Sequence, residues 1–107
     1  MDRLVSLGAE NPEFSYFLDG QTLIIEDLLQ LAPDYEATVR KLIQAGTLTI
    51  GPYYCQPDWK LTGGESLIRN LLFGIADLKK YGGEVSAGWL VDTFGHISQN
   101  PRLHQMF

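Results

Sequence analysis

Residues 85 to 92, Val-Ser-Ala-Gly-Trp-Leu-Val-Asp, are apolar almost throughout and follow directly on a long segment with helical periodicity. Apolar residues in consecutive positions, rather than alternating ones, fit a strand buried on both faces. Such strands occur in parallel sheets covered by helices on either side. This run therefore asks for helices around it and for other strands beside it.

The preceding chain supplies both. "FSYFLDG", residues 14–20, reads as a short strand halted by a turn at Asp19-Gly20. In "QTLIIEDLLQLAP" the residues Ile24, Leu28 and Leu31 recur at helical spacing, and a helix is expected, although Thr22, Ile24 and Ile25 would also suit a strand. "PDYEATVRKLIQAG" predicts a second helix, with Pro33 at its start, a stripe of Tyr35, Val39, Leu42 and Ile43, and Gly46 as its C-terminal cap. "TLTIGPYY" predicts a strand over about 47–51 that Gly51-Pro52 ends, because proline has no N–H to give to a ladder.

"TGGESLIRNLLFGIADLKKYGG" opens with a Thr62-to-Glu65 capping-box pattern and places Leu67, Ile68, Leu71, Leu72, Ile75 and Leu78 on one helical face. It closes at Gly82-Gly83. Gly74 inside it costs about 1 kcal/mol relative to alanine, which suggests a close contact with another helix. Asn100-Pro101 begins a last helix. The order strand, helix, helix, strand, helix, strand is that of an α/β protein with a parallel sheet. Three strands are few for such a sheet, whose edges need protection, so the chain reads as part of a larger domain.

A chain of 107 residues with 45% apolar content is expected to form one compact unit. Its net charge of -5 comes from scattered acids. The only adjacent cationic pairs are Arg40-Lys41 and Lys79-Lys80, so a nucleic-acid partner is not expected. No apolar run approaches the roughly 20 residues of a membrane span, and "MDRLVSLGAE" lacks the pattern of a secretory leader. Cys55 is the lone cysteine, which excludes an intramolecular disulfide and a Cys-x-x-Cys motif and fits a cytoplasmic protein.

In parallel α/β folds the chemistry sits beyond the carboxyl ends of the strands. Each expected strand runs into an acid there: Asp19, then Asp58 a few residues on, then Asp92. Asp19-Gly20 is also a common turn pair, and Asp58 sits in a loop with Pro57 where a capping role is as good an explanation. Asp92 differs, because a long apolar run delivers it to a strand end and Phe94-Gly95 then turns the chain. His96 is either a metal ligand or a hydrogen-bonding orienter, and two histidines, His96 and His104, do not make a closed zinc site. Trp59 and Trp89 are candidates for sugar stacking or for the core.

The runs "LDGQT", "IGPYY", "QPDW" and "ESLIRNL", with "GWLVDTFGHISQNPRL" as the most specific, closely resemble the N-terminal catalytic domain of glycoside hydrolase family 38. These are the α-mannosidases, particularly their bacterial members and the mannosylglycerate hydrolases. The resemblance implies an α/β fold that is part of a seven-stranded β/α barrel, about three βα units, with residues 1–107 a partial catalytic domain truncated at both ends. It also implies that Asp92 is the nucleophile and a ligand of a divalent metal, zinc in most of the family, and that Asp58 and Trp59 belong to the substrate pocket. His96 would support the loop. Thr93 stands where many family members have proline, a tolerable change in turn rigidity.

The activity so implied is retaining hydrolysis of an α-mannoside or mannosylglycerate-type carbohydrate. The remaining metal ligands and the acid/base lie outside these residues, so the chain alone is expected to be inactive. A non-catalytic α/β interaction or oligomerisation module derived from such an enzyme, forming a homo-oligomer through exposed sheet edges, is the alternative. A deacetylase-like metal hydrolase would need a His-x-x-x-His pair that this sequence lacks.

Overall fold

A computed structural model of the chain describes residues 1–85 and 87–107. Its first element is one that the strand-and-helix pattern above did not include. Met1, Leu4, Val5 and Gly8 recur at helical spacing, and helix α1 (Asp2–Glu10) buries Val5 and Gly8. A Cβ on Gly8 would stand 3.2 Å from a Leu42 methyl, so its absence lets α1 lie close to the next helical layer.

The two short strands β1 (Tyr16–Phe17) and β2 (Leu48–Thr49) pair in parallel, with Tyr16 opposite Leu48 and Phe17 opposite Thr49. Tyr16 N–H donates to Thr47 O and Leu18 N–H to Thr49 O, each at 2.8 Å. A bridge between Gln21 and Tyr53 continues the parallel alignment beyond them. The connection between the strands is helical, as parallel pairing requires: α2 (Leu23–Leu31), a 3-10 turn over Pro33–Tyr35, and α3 (Glu36–Gln44). In α3 the expected stripe holds, with Val39, Leu42 and Ile43 buried and Tyr35 packed against the same core. Gly46 follows at φ 72, suited to its role after the helix end.

In α2 the buried face is displaced. Ile25 and Leu28 are buried while Leu31 is 87% exposed. The backbone N–H of Thr22 is held by the Tyr53 and Tyr54 carbonyls, which fixes the helix start and rotates Leu31 outward.

Helix α4 (Gly64–Tyr81) follows its predicted periodicity, burying Leu67, Leu71, Ile75 and Leu78, but Leu72 is 50% exposed. The capping box does not form. Gly63 is the N-cap, the Thr62 N–H bonds to Asp58 O in the preceding turn, and Glu65 pairs with Arg69 at 2.8 Å. Gly74 does mark a close approach, but to a loop. A Cβ there would overlap the Pro52 carbonyl and the Tyr53 backbone and lie 2.6 Å from Tyr54 N. The chain closes with α5 (Asn100–Gln105).

Among the described residues the expected third strand is not formed, and with it the three-unit barrel segment is reduced to a mixed helix and strand arrangement. Among the described residues the sheet has two strands. Residues 87–91 carry no ladder, and Val85, Trp89 and Val91 are 48%, 39% and 50% exposed instead of buried. Ser86 lies outside the described residues. A continuous apolar run becomes a strand only where a neighbouring backbone offers the matching donors and acceptors. Here the segment is held by side chains: Trp89 stacks on Phe17 with ring centroids 4.7 Å apart.

Two apolar clusters result. The larger one joins α1, Leu18 just past β1, α2, α3, β2 and the C-terminal half of α4. The smaller comprises Tyr53, Trp59, Leu67 and Leu71, with Leu90, Ile97 and Leu103 packed against it. The second cluster is what seats the segment carrying Asp92.

Candidate active site

Beyond β1 the backbone enters the left-handed region at Asp19 (φ 45) and Gly20 (φ 67). Aspartate tolerates that conformation better than most residues, and a Cβ on Gly20 would be crowded, standing 3.0 Å from both Gln56 Nε2 and Trp89 Cβ. The turn presents three acceptors of one residue. Asp19 Oδ1 accepts from the Trp89 indole N–H at 3.1 Å, Oδ2 accepts from Gln21 Nε2 at 3.1 Å, and the Asp19 carbonyl accepts from Gln56 Nε2 at 2.8 Å. The Gln56 amide also donates to Trp89 O at 3.0 Å, and its backbone N–H donates to Gln21 Oε1 at 3.1 Å. Asp19 is thus a structural hub of this rim.

Asp92 follows Trp89 by three residues and is itself left-handed, at φ 56. It is exposed, and with Gln56, Pro57, Asp58, Val91, Thr93 and Phe94 it lines an open cleft of about 200 Å³. Two of the three acids named from the sequence therefore meet in one cleft, and the third is joined to it through Gln56. Asp58 has one carboxylate oxygen, Oδ1, buried with no hydrogen-bond partner among the described residues, and Gln56 Oε1 is in the same condition. Unpaired buried acceptors are uncommon and mark a place where a donor or cation would be favourable.

The other named residues do not join them. Trp59 is 1% exposed and packs edge-on against Tyr53 at 5.9 Å in the smaller core, so it supports the loop from beneath and does not line the cleft. His96 is exposed and lies outside the cleft lining, past the turn at Gly95. The exposed aromatics here are Phe94, in the cleft lining itself, and Trp89 beside it. Among the described residues no group of three or more His, Cys, Asp or Glu side chains is placed to hold a metal ion. Asp92 could supply one ligand; these residues do not complete a site.

Sequence reasoning passed over Gln56 and the anchoring role of Trp89. Glutamine carries no motif signal of its own, and only the fold shows that its two amide hydrogens reach two different segments.

The family model for the glycosyl hydrolases family 38 N-terminal domain matches residues 1–107. The chain belongs to family 38. A protein of Halalkalibacterium halodurans that carries the name mannosylglycerate hydrolase is 47% identical over 105 residues, covering 96% of this chain and 12% of that protein. An α-mannosidase of Saccharomyces cerevisiae is 33% identical over 95 residues, covering 86% of this chain and 9% of its own length. The crystal structure of an α-mannosidase from Enterococcus faecalis V583 superposes with a TM-score of 0.92 at 42% identity, over 98% of this chain and 12% of that one. A second family 38 structure from Enterococcus faecalis gives 0.89 at 42% identity. This family 38 chain thus spans about an eighth of the length of these two relatives. Among the described residues no helix is long and apolar enough to cross a membrane.

Proposed function

We propose that residues 1–107 are part of the catalytic β/α-barrel domain of a retaining glycosidase acting on α-mannosides or mannosylglycerate-type substrates, with Asp92 as nucleophile. The observation that carries this is the placement of Asp92, the acid of the Asp-x-Phe-Gly-His run, in an open cleft beside Asp58 in a chain that matches family 38 along its length.

In this reading a carboxylate oxygen of Asp92 attacks the anomeric carbon while the glycosidic C–O bond breaks. The leaving oxygen takes a proton from an acid outside residues 1–107. Water then attacks the anomeric carbon of the ester, and Asp92 leaves as carboxylate. Asp58 belongs to the substrate pocket, where its unpaired Oδ1 is an acceptor for a sugar hydroxyl. Asp92 supplies one ligand of a divalent cation, zinc by family resemblance, whose other ligands lie elsewhere. A cytoplasmic setting goes with the lone Cys55.

The test compares the intact protein with its Asp92→Asn variant on an aryl α-mannoside. Asparagine suits the left-handed backbone at this position, so the change removes the nucleophile without straining the turn. Loss of turnover by at least about a thousandfold is expected for removal of a covalent nucleophile. Normal turnover overturns the assignment. The isolated 107-residue chain is expected to show no more than trace hydrolysis.

A further inference from the structure

We infer that Gln56 is a positioning residue for Asp92: its side-chain amide clasps the turn after β1 to the segment that carries Asp92. The inference rests on the reading of Asp92 as nucleophile given above.

One amide nitrogen has two hydrogens, and both are used across segments distant in sequence. Gln56 Nε2 donates to Asp19 O at 2.8 Å and to Trp89 O at 3.0 Å. Trp89 O belongs to the backbone three residues ahead of Asp92, in a segment that no strand ladder fixes. In a paired strand, backbone bonds would set the height and rotation of the terminal acid. Here that task falls to Gln56, with the Trp89 indole on Asp19 Oδ1 and the stacking of Trp89 on Phe17 holding the same segment from its side chain.

Gln56 is itself held. Its backbone N–H is bonded to Gln21 Oε1, whose amide nitrogen is bonded to Asp19 Oδ2. Gly20 keeps the clasp unstrained, since a Cβ there would press at 3.0 Å on both the amide nitrogen and Trp89 Cβ. Gln56 also lines the cleft with Asp92, so a shift at the clasp is a shift of the cleft wall. Nucleophilic attack is sensitive to such shifts, because misplacement by about 1 Å can cost about a hundredfold in rate.

Gln56→Glu keeps the shape and replaces both donated hydrogens with an oxygen facing two carbonyls; Gln56→Met keeps the length, adds no charge and serves if the glutamate variant does not fold. In the intact protein the expected result is a fall in kcat of about ten- to a hundredfold with KM within about threefold, matched by slower covalent labelling of Asp92 with a fluoroglycoside that traps the glycosyl–enzyme. In either variant the Trp89 indole N–H resonance should move while that of Trp59 stays in place. Wild-type kcat and labelling in a folded variant, beside an inactive Asp92→Asn, overturn this inference alone. A raised KM with unchanged kcat also overturns it, since Gln56 would then act on substrate binding. Full activity of Asp92→Asn overturns the nucleophile reading and this inference with it.

Discussion

The Tyr53 hydroxyl lies 2.5 Å from His104 Nε2, joining the loop after β2 to the last helix. The other ring nitrogen, Nδ1, is 2.7 Å from Asn100 O, which can only accept, so Nδ1 carries a hydrogen and in the neutral ring Nε2 accepts from the tyrosine. Tyr53 is fully buried, and Trp59 packs against both rings. Replacing Tyr53 with phenylalanine would keep the ring packing and leave Nε2 without its donor. The expected loss is about 1–3 kcal/mol, read as a lower urea midpoint with an unchanged m-value. A midpoint equal to wild type would mean that water replaces the hydroxyl at no cost.

The same burial gives a pH dependence. Desolvation raises the Tyr53 phenol well above its usual 10.0, and Tyr54 is pushed up to about 12, chiefly by its hydrogen bond to the Glu26 carboxylate at 2.8 Å. Both phenols hold their protons more tightly folded than unfolded. Their contribution is therefore complete below about pH 10 and is lost as pH rises from about 10 toward the folded values. Urea midpoints should fall between about pH 10 and about pH 12, and the fall should be shallower in Tyr53→Phe. An equal slope in wild type and variant would remove Tyr53 as a cause.

Much of this arrangement could be read in the sequence, and the failures have physical causes. Helices α3 and α4 were legible because their apolar positions repeat at one period and their buried faces meet a single core. Leu31 misled because a tertiary anchor, Thr22 on the Tyr53 and Tyr54 carbonyls, sets the rotation of α2. The run 85–92 misled because apolar character says what a segment avoids, while a strand also needs a partner backbone. At the site, Asp58 was legible as an acid past β2 and Asp92 as the acid that ends an apolar run, although that run forms no strand. The Asp19–Gln56–Trp89 network was not, since residues 37 and 33 positions apart are brought together only by the fold.

Gly74 separates two opposing effects. Alanine in a helix interior is worth about 1 kcal/mol over glycine by propensity. Here its Cβ would overlap the backbone of Pro52 and Tyr53, which cannot swing aside as a side chain would. Steric conflict in a packed interior costs about 1–3 kcal/mol or more and should outweigh the propensity gain. Gly74→Ala is expected to be destabilised in urea unfolding. A stabilised variant would show that the 52–54 loop yields without cost.

Thr22 is fully buried, and its hydroxyl donates to Asp77 Oδ2 at 2.8 Å, joining the start of α2 to α4. Thr22→Val keeps the β-branched shape and removes the donor to a half-buried carboxylate. Because the acceptor is charged, a loss of about 1.5–3 kcal/mol is expected. In the double-mutant cycle with Asp77→Ala, the two effects should add to more than the double variant loses. Strict additivity would show that this hydrogen bond contributes nothing measurable.

Asp19 makes the last case because its backbone and its carboxylate can be tested apart. At φ 45, alanine would be strained by roughly 1 kcal/mol, whereas asparagine is at ease. Asparagine also retains an oxygen for the Trp89 indole, and alanine retains none. Asp19→Asn gives up only the exposed bond from Gln21 Nε2 and should lose about 0.5–1 kcal/mol, and Asp19→Ala should lose about 1–3 kcal/mol through strain and the missing acceptors together. Asp19→Gly removes the acceptor without the strain, so its stability should fall between the two. Indole N–H exchange at Trp89 should quicken in the alanine and glycine variants alike and remain slow in the asparagine variant. Slow exchange in all three would mean that the Phe17 stack and the Gln56 amide hold Trp89 without help from the Asp19 carboxylate.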